Sequence, residues 1–215
     1  MELKQLPNDG YIRGSLPKDL FDSLLGEALE CDNTQKMDTG LKRPEAHETC
    51  SHYDVSIKNT DFLKDFIFPY LGEYMENFPY INNIECLSSN SPFVFGQPWF
   101  NLQKSTDYLP IHTHNGVLSY SIWLKLPPLS EFVFYYNGIV RQCDYLLRLT
   151  PKDEGDLLFF PSTLRHGVHP FSSNDPNEIR ISLSGNIFLQ GIEDYVNGNN
   201  SYVGNTVEWN RLELI

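Results

Sequence analysis

The feature that most constrains the fold is a succession of short aromatic and β-branched runs that begins after about residue 92 and continues to residue 189. Glycine, proline and asparagine separate the runs, as is typical of strands joined by turns. Because no helix-length pattern lies between the runs, antiparallel pairing in a sandwich or jelly roll is favoured over a parallel α/β sheet. The predicted strands cover residues 93–103, 117–126, 131–136, 139–149, 156–160 and 178–189.

Two of these runs flank Asn137-Gly138. Asparagine and glycine tolerate the positive φ angles that a two-residue hairpin turn requires. The dipeptide therefore predicts a tight β-hairpin.

Residues 1–90 have a different pattern, in which short helical periodicities alternate with loops. Residues 15–17 predict the start of a helix that ends at 31–33, and a second helix is predicted over 61–78. The polar stretch 32–51 predicts a surface loop. The expected packing faces consist of Leu20, Leu24, Leu25 and Ala28 in the first helix and Phe62, Phe66, Tyr70 and Tyr74 in the second.

Charge and composition exclude several classes of protein. The chain has 16 lysines and arginines against 28 aspartates and glutamates, a net charge of −12, which disfavours electrostatic binding of nucleic acid. No apolar run reaches the roughly 18 residues of a membrane span, and the first residues do not resemble a secretion signal. The four scattered cysteines are expected to be free, buried thiols, and the protein is expected to be cytoplasmic.

Four of the six histidines lie in two short segments of the β-rich part, His112-Thr113-His114 and His166-Gly167-Val168-His169. Residues i and i+2 of a strand project from one face, so His112 and His114 can direct both rings at one point. His166 follows an apolar run that ends at Pro161, a position where sites are often built. The alternative is a pair of ordinary strand histidines, and His169 is expected to belong to a structural loop.

Arg180 alternates with apolar residues in the run 178–184, so Arg180, Ser182 and Ser184 share one face of the predicted strand. A buried guanidinium needs an anionic partner, because burying an unpaired charge is very costly. A carboxylate ligand would suit the arginine and serine pair. The alternative is a structural salt bridge to Asp156 or Glu178.

The order of these residues resembles the iron(II)- and 2-oxoglutarate-dependent oxygenases of the prolyl 4-hydroxylase-like branch. Members of that family carry His-x-Asp, a distal histidine and then Arg-x-Ser on a double-stranded β-helix. This chain has His112-x-His114, His166 and Arg180-x-Ser182. Residues 99–103, 112–116, 119–123 and 155–170 look most like uncharacterised oxygenases encoded by tailed phages of aquatic bacteria. The resemblance covers about residues 93–190.

The resemblance implies a mainly β fold with flanking helices, a double-stranded β-helix of the jelly-roll, cupin-like kind. It further implies a dioxygenase that binds Fe(II) and 2-oxoglutarate, consumes dioxygen and hydroxylates an unidentified small-molecule or peptidyl substrate. The implied metal ligands are His112, His114 and His166, and the implied cosubstrate contacts are Arg180, Ser182, Asn101 and Gln103. Apolar walls are expected from Tyr120, Ile122, Phe159 and Phe160.

One departure from the family pattern is serious, because His114 stands where the family has a carboxylate. A neutral imidazole leaves more positive charge on the metal. Three hypotheses follow: a working three-histidine site, a third ligand from Asp107 or another carboxylate, or a metal site without oxygenase activity. The first is favoured because strand geometry places His114 correctly.

Two other classes of function are weighed against an oxygenase. A cupin-type three-histidine enzyme would be expected to carry a glutamate shortly after His-x-His, and residues 116–120 contain no acid. A non-catalytic jelly-roll protein leaves Arg180 and Ser182 without a role. The expected organisation is a helical and mixed region at 1–90 packed on the barrel, a catalytic core at 91–190 and a C-terminal arm of the same domain at 191–215.

Overall fold

Two antiparallel sheets face each other in the computed structural model, which describes residues 10–31, 50–78, 93–138, 141–189 and 210–212. The larger sheet has eight strands and the smaller has four, in the order β5-β10-β7-β8. The strands are β1 Ile12–Ser15, β2 Ser51–Asp54, β3 Phe93–Phe95, β4 Trp99–Gln103, β5 Leu109–His112, β6 Leu118–Lys125, β7 Ser130–Asn137, β8 Gln142–Leu149, β9 Asp156–Pro161, β10 Arg165–Val168, β11 Arg180–Leu189 and β12 Asn210–Leu212. This is the double-stranded β-helix that the sequence predicts.

Strand β11 organises the larger sheet, whose main path is β1-β9-β6-β11-β3-β12. One edge of β11 pairs with β6, and its other edge pairs first with β4 and then with β3. Strands β1 and β2, from the N-terminal part of the chain, extend this sheet by pairing with β9 and β4.

Two helices cover the outer face of the larger sheet, α1 over Lys18–Cys31 and α2 over Ile57–Asn77. Their buried residues form one core with alternate residues of the strands beneath them. In α1 the predicted Leu20, Leu24 and Ala28 are buried. Neither helix is long and apolar enough to cross a membrane, among the residues that the structure describes.

The aromatic stripe predicted for α2 is only partly correct. Tyr74 is buried, whereas Phe62 is 56% exposed. The buried face runs instead through Leu63, Ile67 and Leu71. A stripe spaced by four residues drifts around a helix of 3.6 residues per turn, so its two ends cannot both face the sheet.

The predicted hairpin between β7 and β8 is present, but its turn is wider than expected. Asn137 pairs with Gln142, so four residues connect the strands. The amide of Gly138 donates to the carbonyl of Arg141 at 2.9 Å, and neither Asn137 nor Gly138 has a positive φ. The wider turn removes the need for the two-residue geometry that the dipeptide suggested.

Some predictions concern short or undescribed segments. Strands β5 and β10 are absent from the prediction because each has only four residues. The predicted run 93–103 is split into β3 and β4 by residues 96–98, of which Pro98 cannot donate to a neighbouring strand. Residues 32–49 of the loop expected at 32–51 lie outside the described residues. Three cysteines are described, Cys31, Cys50 and Cys143, and all are free but only partly buried.

Candidate metal and cosubstrate site

Three histidine side chains converge at one end of the space between the two sheets. His112, His114 and His166 each offer a nitrogen, and these nitrogens lie within 4.8 Å of one another. The Nε2 atoms of His114 and His166 are 3.1 Å apart. Among the described residues no carboxylate joins this group, and Asp107 instead accepts a hydrogen bond from the amide of Lys104 at 2.7 Å.

Strand pairing brings two of these residues together. His112 ends β5 and His166 lies in β10, and the two residues are direct partners in the antiparallel register. The i, i+2 argument does not explain His114, because the strand ends at His112. The amide of His114 donates instead to the carbonyl of Ser162 at 2.9 Å, and its ring stacks on Trp99 with centroids 5.9 Å apart.

Hydrogen bonds fix the orientation of the rings. Nδ1 of His112 donates to the carbonyl of Pro110 at 2.7 Å, and Nδ1 of His166 donates to the carbonyl of Leu164 at 2.8 Å. The side chain of Asn186 is hydrogen bonded to His114. A protonated Nδ1 leaves the Nε2 lone pair of His112 and of His166 free for a metal, and such partners orient the ligands of many metal sites.

Burial also keeps two of the rings neutral. It lowers the pKa of His114 to about 3, and the neighbouring His166 and His112 act in the same direction. Burial likewise lowers the pKa of His166 to about 4, assisted by His112. Neutral imidazoles are the form that binds a metal ion, so the donor set fits a divalent transition metal at neutral pH.

Arg180 lies on the opposing sheet, and its side chain is almost fully buried at 1% exposure. Its Nε donates to Oε1 of Gln103 at 3.1 Å, and its Nη2 donates to the carbonyl of His169 at 2.8 Å. Burial lowers the pKa of Arg180 to about 10, with Cys50 and Asp107 opposing the shift, so the guanidinium is charged at neutral pH.

Neither acid considered as a structural partner reaches Arg180. Asp156 binds Arg13 and Ser15, and Glu178 accepts from Ser173. Among the described residues, Nη1 of Arg180 and Nε2 of Gln103 are buried donors without a hydrogen-bond partner. Two unused donors beside a buried positive charge are the pattern expected where an anionic ligand binds.

Small polar side chains line the same face of the larger sheet as Arg180. Nδ2 of Asn101 donates to the hydroxyls of Ser182 and Ser184, and Oδ1 of Asn101 accepts from Trp99. Alternation along β11 continues this face to Asn186, which contacts His114. The sequence prediction did not include Asn186, although extending the Arg180-x-Ser182 alternation by four residues would have reached it.

The predicted apolar walls divide between two faces. Phe160 packs against His166 with ring centroids 4.9 Å apart. Tyr120, Ile122 and Phe159 lie in the core beneath the helices instead. Phe159 and Phe160 are adjacent in a strand, so they cannot face the same side. Phe132, which the sequence prediction did not include, stacks on His166 with ring centroids 5.5 Å apart.

The β-rich part of the chain matches a known protein family. Residues 97–186 match the family model described as "Putative 2OG-Fe(II) oxygenase". This stretch contains the three histidines, Arg180 and the polar network. No curated protein sequence matches the chain.

Solved structures of low sequence identity share the fold. A prolyl-4-hydroxylase from Pseudomonas putida is 17% identical, with a TM-score of 0.55 over 82% of this chain and 91% of that one. The epimerase SnoN from nogalamycin biosynthesis is 14% identical, with a TM-score of 0.58 over 95% and 94%. The viral collagen prolyl hydroxylase of Paramecium Bursaria Chlorella virus-1, solved with 2-oxoglutarate, is 12% identical, with a TM-score of 0.51 over 82% and 94%.

Proposed function

We propose that the chain, an iron(II)- and 2-oxoglutarate-dependent oxygenase, holds its metal through His112, His114 and His166 and its cosubstrate through Arg180. One observation carries this proposal. Three converging imidazoles and a buried guanidinium with an unused donor lie on facing sheets, and the polar side chains of Asn101, Ser182 and Ser184 lie on the sheet that carries the guanidinium. Bound together, iron(II) and 2-oxoglutarate would supply an oxidative decarboxylation coupled to the hydroxylation of an aliphatic carbon with dioxygen.

In this proposal, the side chains of the site bind and orient the metal and the cosubstrate. His112 and His166 keep their Nδ1 protons on backbone carbonyls, which directs their Nε2 atoms toward the metal position. Arg180 and Ser182 would bind the distal carboxylate of the cosubstrate. Gln103 holds the guanidinium and presents its own unused Nε2, while Asn101 orients Ser182 and Ser184.

The aromatic side chains around the histidines would limit the access of water. Phe132 and Phe160 pack on His166, and Trp99 covers His114. A dry site protects a reactive oxidant from side reactions and strengthens the electrostatic contacts within it.

The three-histidine set changes the charge of the site. With no carboxylate ligand, a divalent metal would keep its full positive charge, which favours a dianionic keto-acid. This charge balance supports binding of the cosubstrate at a three-histidine site.

The net charge of the chain bears on its substrate class. We propose a small-molecule or peptidyl substrate and no role for nucleic acid or membrane surfaces, because the net charge is −12. The likeness to phage-encoded oxygenases supports a reaction in the cytoplasm, that of the host for a phage protein. We further propose one domain, with residues 91–190 as its catalytic core; the pairing of β1 and β2 with core strands supports this.

An anaerobic titration tests the proposal. The protein is titrated with Fe(II) in the absence and in the presence of 2-oxoglutarate, and the visible charge-transfer band of a chelated keto-acid is recorded. We expect the band only when both are added, and we expect it to disappear in a His112→Ala, His166→Ala double variant. Absence of the band from folded wild-type protein would contradict the proposed site.

A further inference from the structure

A short segment after β10 covers the guanidinium of Arg180; we call it the strap and define it as residues 169–171. The carbonyl of His169 accepts from Nη2 of Arg180 at 2.8 Å. The buried ring of Phe171 lies 5.3 Å from the guanidinium carbon. The strap therefore constrains one edge and one face of the guanidinium.

Glu131 of β7 anchors the strap at two points. The amide of His169 donates to the carbonyl of Glu131 at 3.2 Å. Nδ1 of His169 donates to Oε2 of Glu131 at 2.9 Å. Pro170 further restricts His169 to extended backbone angles. Of these contacts, the side-chain bond is the one that a substitution can remove without changing the backbone.

The strap also connects the two parts of the proposed site. His166 lies in β10 on the smaller sheet, and His169 follows it by three residues, whereas Arg180 begins β11 on the larger sheet. The hydrogen bond from Arg180 to His169 thus joins the two sheets. The position of the guanidinium relative to the histidines depends on where the strap is held.

The direction of the free donor of Arg180 depends on the two hydrogen bonds that the guanidinium already makes. Gln103 holds Nε and the strap holds Nη2, so Nη1 is left as the unpartnered buried donor. A planar guanidinium fixed at two nitrogens has a fixed direction for the third. Release of the strap would let the group rotate and would cost cosubstrate affinity.

We propose that His169 and Glu131 are positioning residues for 2-oxoglutarate, acting through the strap on Arg180. This inference rests on the proposed function, in which Arg180 binds the distal carboxylate of the cosubstrate. It assigns a role to a hydrogen-bonded pair that lies largely at the surface, where the two side chains are 45% and 33% exposed.

The test compares the 2-oxoglutarate dissociation constants of matched variants, measured anaerobically from the visible band of the Fe(II) complex. His169→Phe removes the donor and keeps a ring, whereas His169→Asn keeps a nitrogen donor. Glu131→Ala removes the acceptor. Arg148→Gln is the control, because the exposed Arg148 is another ionic partner of Glu131, at 4.0 Å, and does not contact the strap. Fe(II) affinity and the thermal midpoint are measured for each variant.

We expect His169→Phe and Glu131→Ala to weaken 2-oxoglutarate binding about fivefold, as for the loss of one partly exposed hydrogen bond. His169→Asn and Arg148→Gln should stay near the wild-type value, and Fe(II) affinity should not change. Wild-type affinity in His169→Phe and Glu131→Ala, or an equal loss in His169→Asn and His169→Phe, would overturn the inference.

Arg180→Met, measured in parallel, separates this inference from the proposed function. If Arg180→Met loses affinity and the strap variants do not, only the positioning role is wrong. If Arg180→Met binds 2-oxoglutarate normally, Arg180 is not the anchor, and both are wrong.

Discussion

At the residue scale, Arg180 is a buried charge without an acidic hydrogen-bond partner in the described part of the chain, since its bonds go to amide and carbonyl oxygens. Replacing it with methionine keeps the volume and removes the charge-assisted hydrogen bonds, each worth about 1.5–3 kcal/mol. We expect Arg180→Met to weaken 2-oxoglutarate binding about tenfold or more while Fe(II) binding changes little. Calorimetric titration of each ligand measures both effects, and equal losses of both would indicate general damage to the site.

His114 decides whether the site uses three imidazoles. Its Nε2 lies 3.1 Å from that of His166, and Asn186 and Trp99 hold its ring. We expect His114→Ala to weaken Fe(II) binding by about 100-fold or more, since loss of even an outer hydrogen-bond partner costs 10–100-fold.

A carboxylate at the same position gives the matched comparison. His114→Asp restores the ligand type that the wider family uses, so it should retain Fe(II) binding that His114→Ala loses. Because the added negative charge opposes a dianion, 2-oxoglutarate should bind this variant less tightly than wild type. Fe(II) affinity of His114→Ala equal to that of wild type would show that the ring is not a ligand.

At the level of elements, a charged cluster joins β1 to the start of β9. Arg13 contacts Asp156 and Asp153, and Asp153 caps the 3-10 turn Pro151–Asp153 by accepting from the amide and hydroxyl of Thr150. Partial burial would raise the pKa of Asp153, but the Thr150 hydrogen bonds and Arg13 outweigh it and hold that pKa below its ordinary value.

Asp153→Asn should therefore destabilise the protein in a pH-dependent way. A depressed folded-state pKa contributes stability that is present above the unfolded-state pKa of about 3.9 and is lost as the pH falls through the folded value. We expect a loss of about 1 kcal/mol at pH 7, typical of a helix cap, that shrinks below pH 4. Urea unfolding of both proteins across this range measures the difference, and a constant difference would contradict the assignment.

Alternation and spacing predict the elements well where strands are long. They identify β6, β7, β9 and β11 within a few residues and place Arg180, Ser182 and Ser184 on one face. They do not predict β5, because four residues give too little alternation to detect. The position of His114 also depends on a contact with Ser162, far away in sequence, which no local pattern encodes.

At the scale of the whole molecule, the packing of the larger sheet on both faces explains why the prediction of the apolar walls of the site is only partly correct. A strand of the larger sheet buries both faces, one under the helices and one toward the smaller sheet, so hydrophobicity alone cannot tell which face lines the site. Tyr120 and Phe160 are both apolar and buried, yet they belong to separate cores. Polar residues in a buried strand, such as Asn101 and Gln103, identify the site-facing side more reliably than apolar ones do.

The charge of the whole chain opposes the ligand that the site is proposed to take. A net charge of −12 repels a dianion at long range, and added salt screens that repulsion. We expect the association rate of 2-oxoglutarate to rise between roughly 10 mM and 150 mM NaCl, where the screening length falls to about 8 Å. Stopped-flow absorbance of the Fe(II) protein measures this rate; a fall with salt would indicate local attraction instead.

Strand β11 has one further consequence for which keto-acids the enzyme accepts. It carries Arg180 at its start and Asn186, the partner of His114, six residues later, a span of about 20 Å along an extended strand. Apart from a shift in the β6 register between Ile181 and Ser182, both edges of the strand are paired with neighbours, which holds the span in place. The strand thus keeps the guanidinium at a fixed distance from the histidines, and oxaloacetate, one methylene shorter than 2-oxoglutarate, should not reach the metal and Arg180 at the same time.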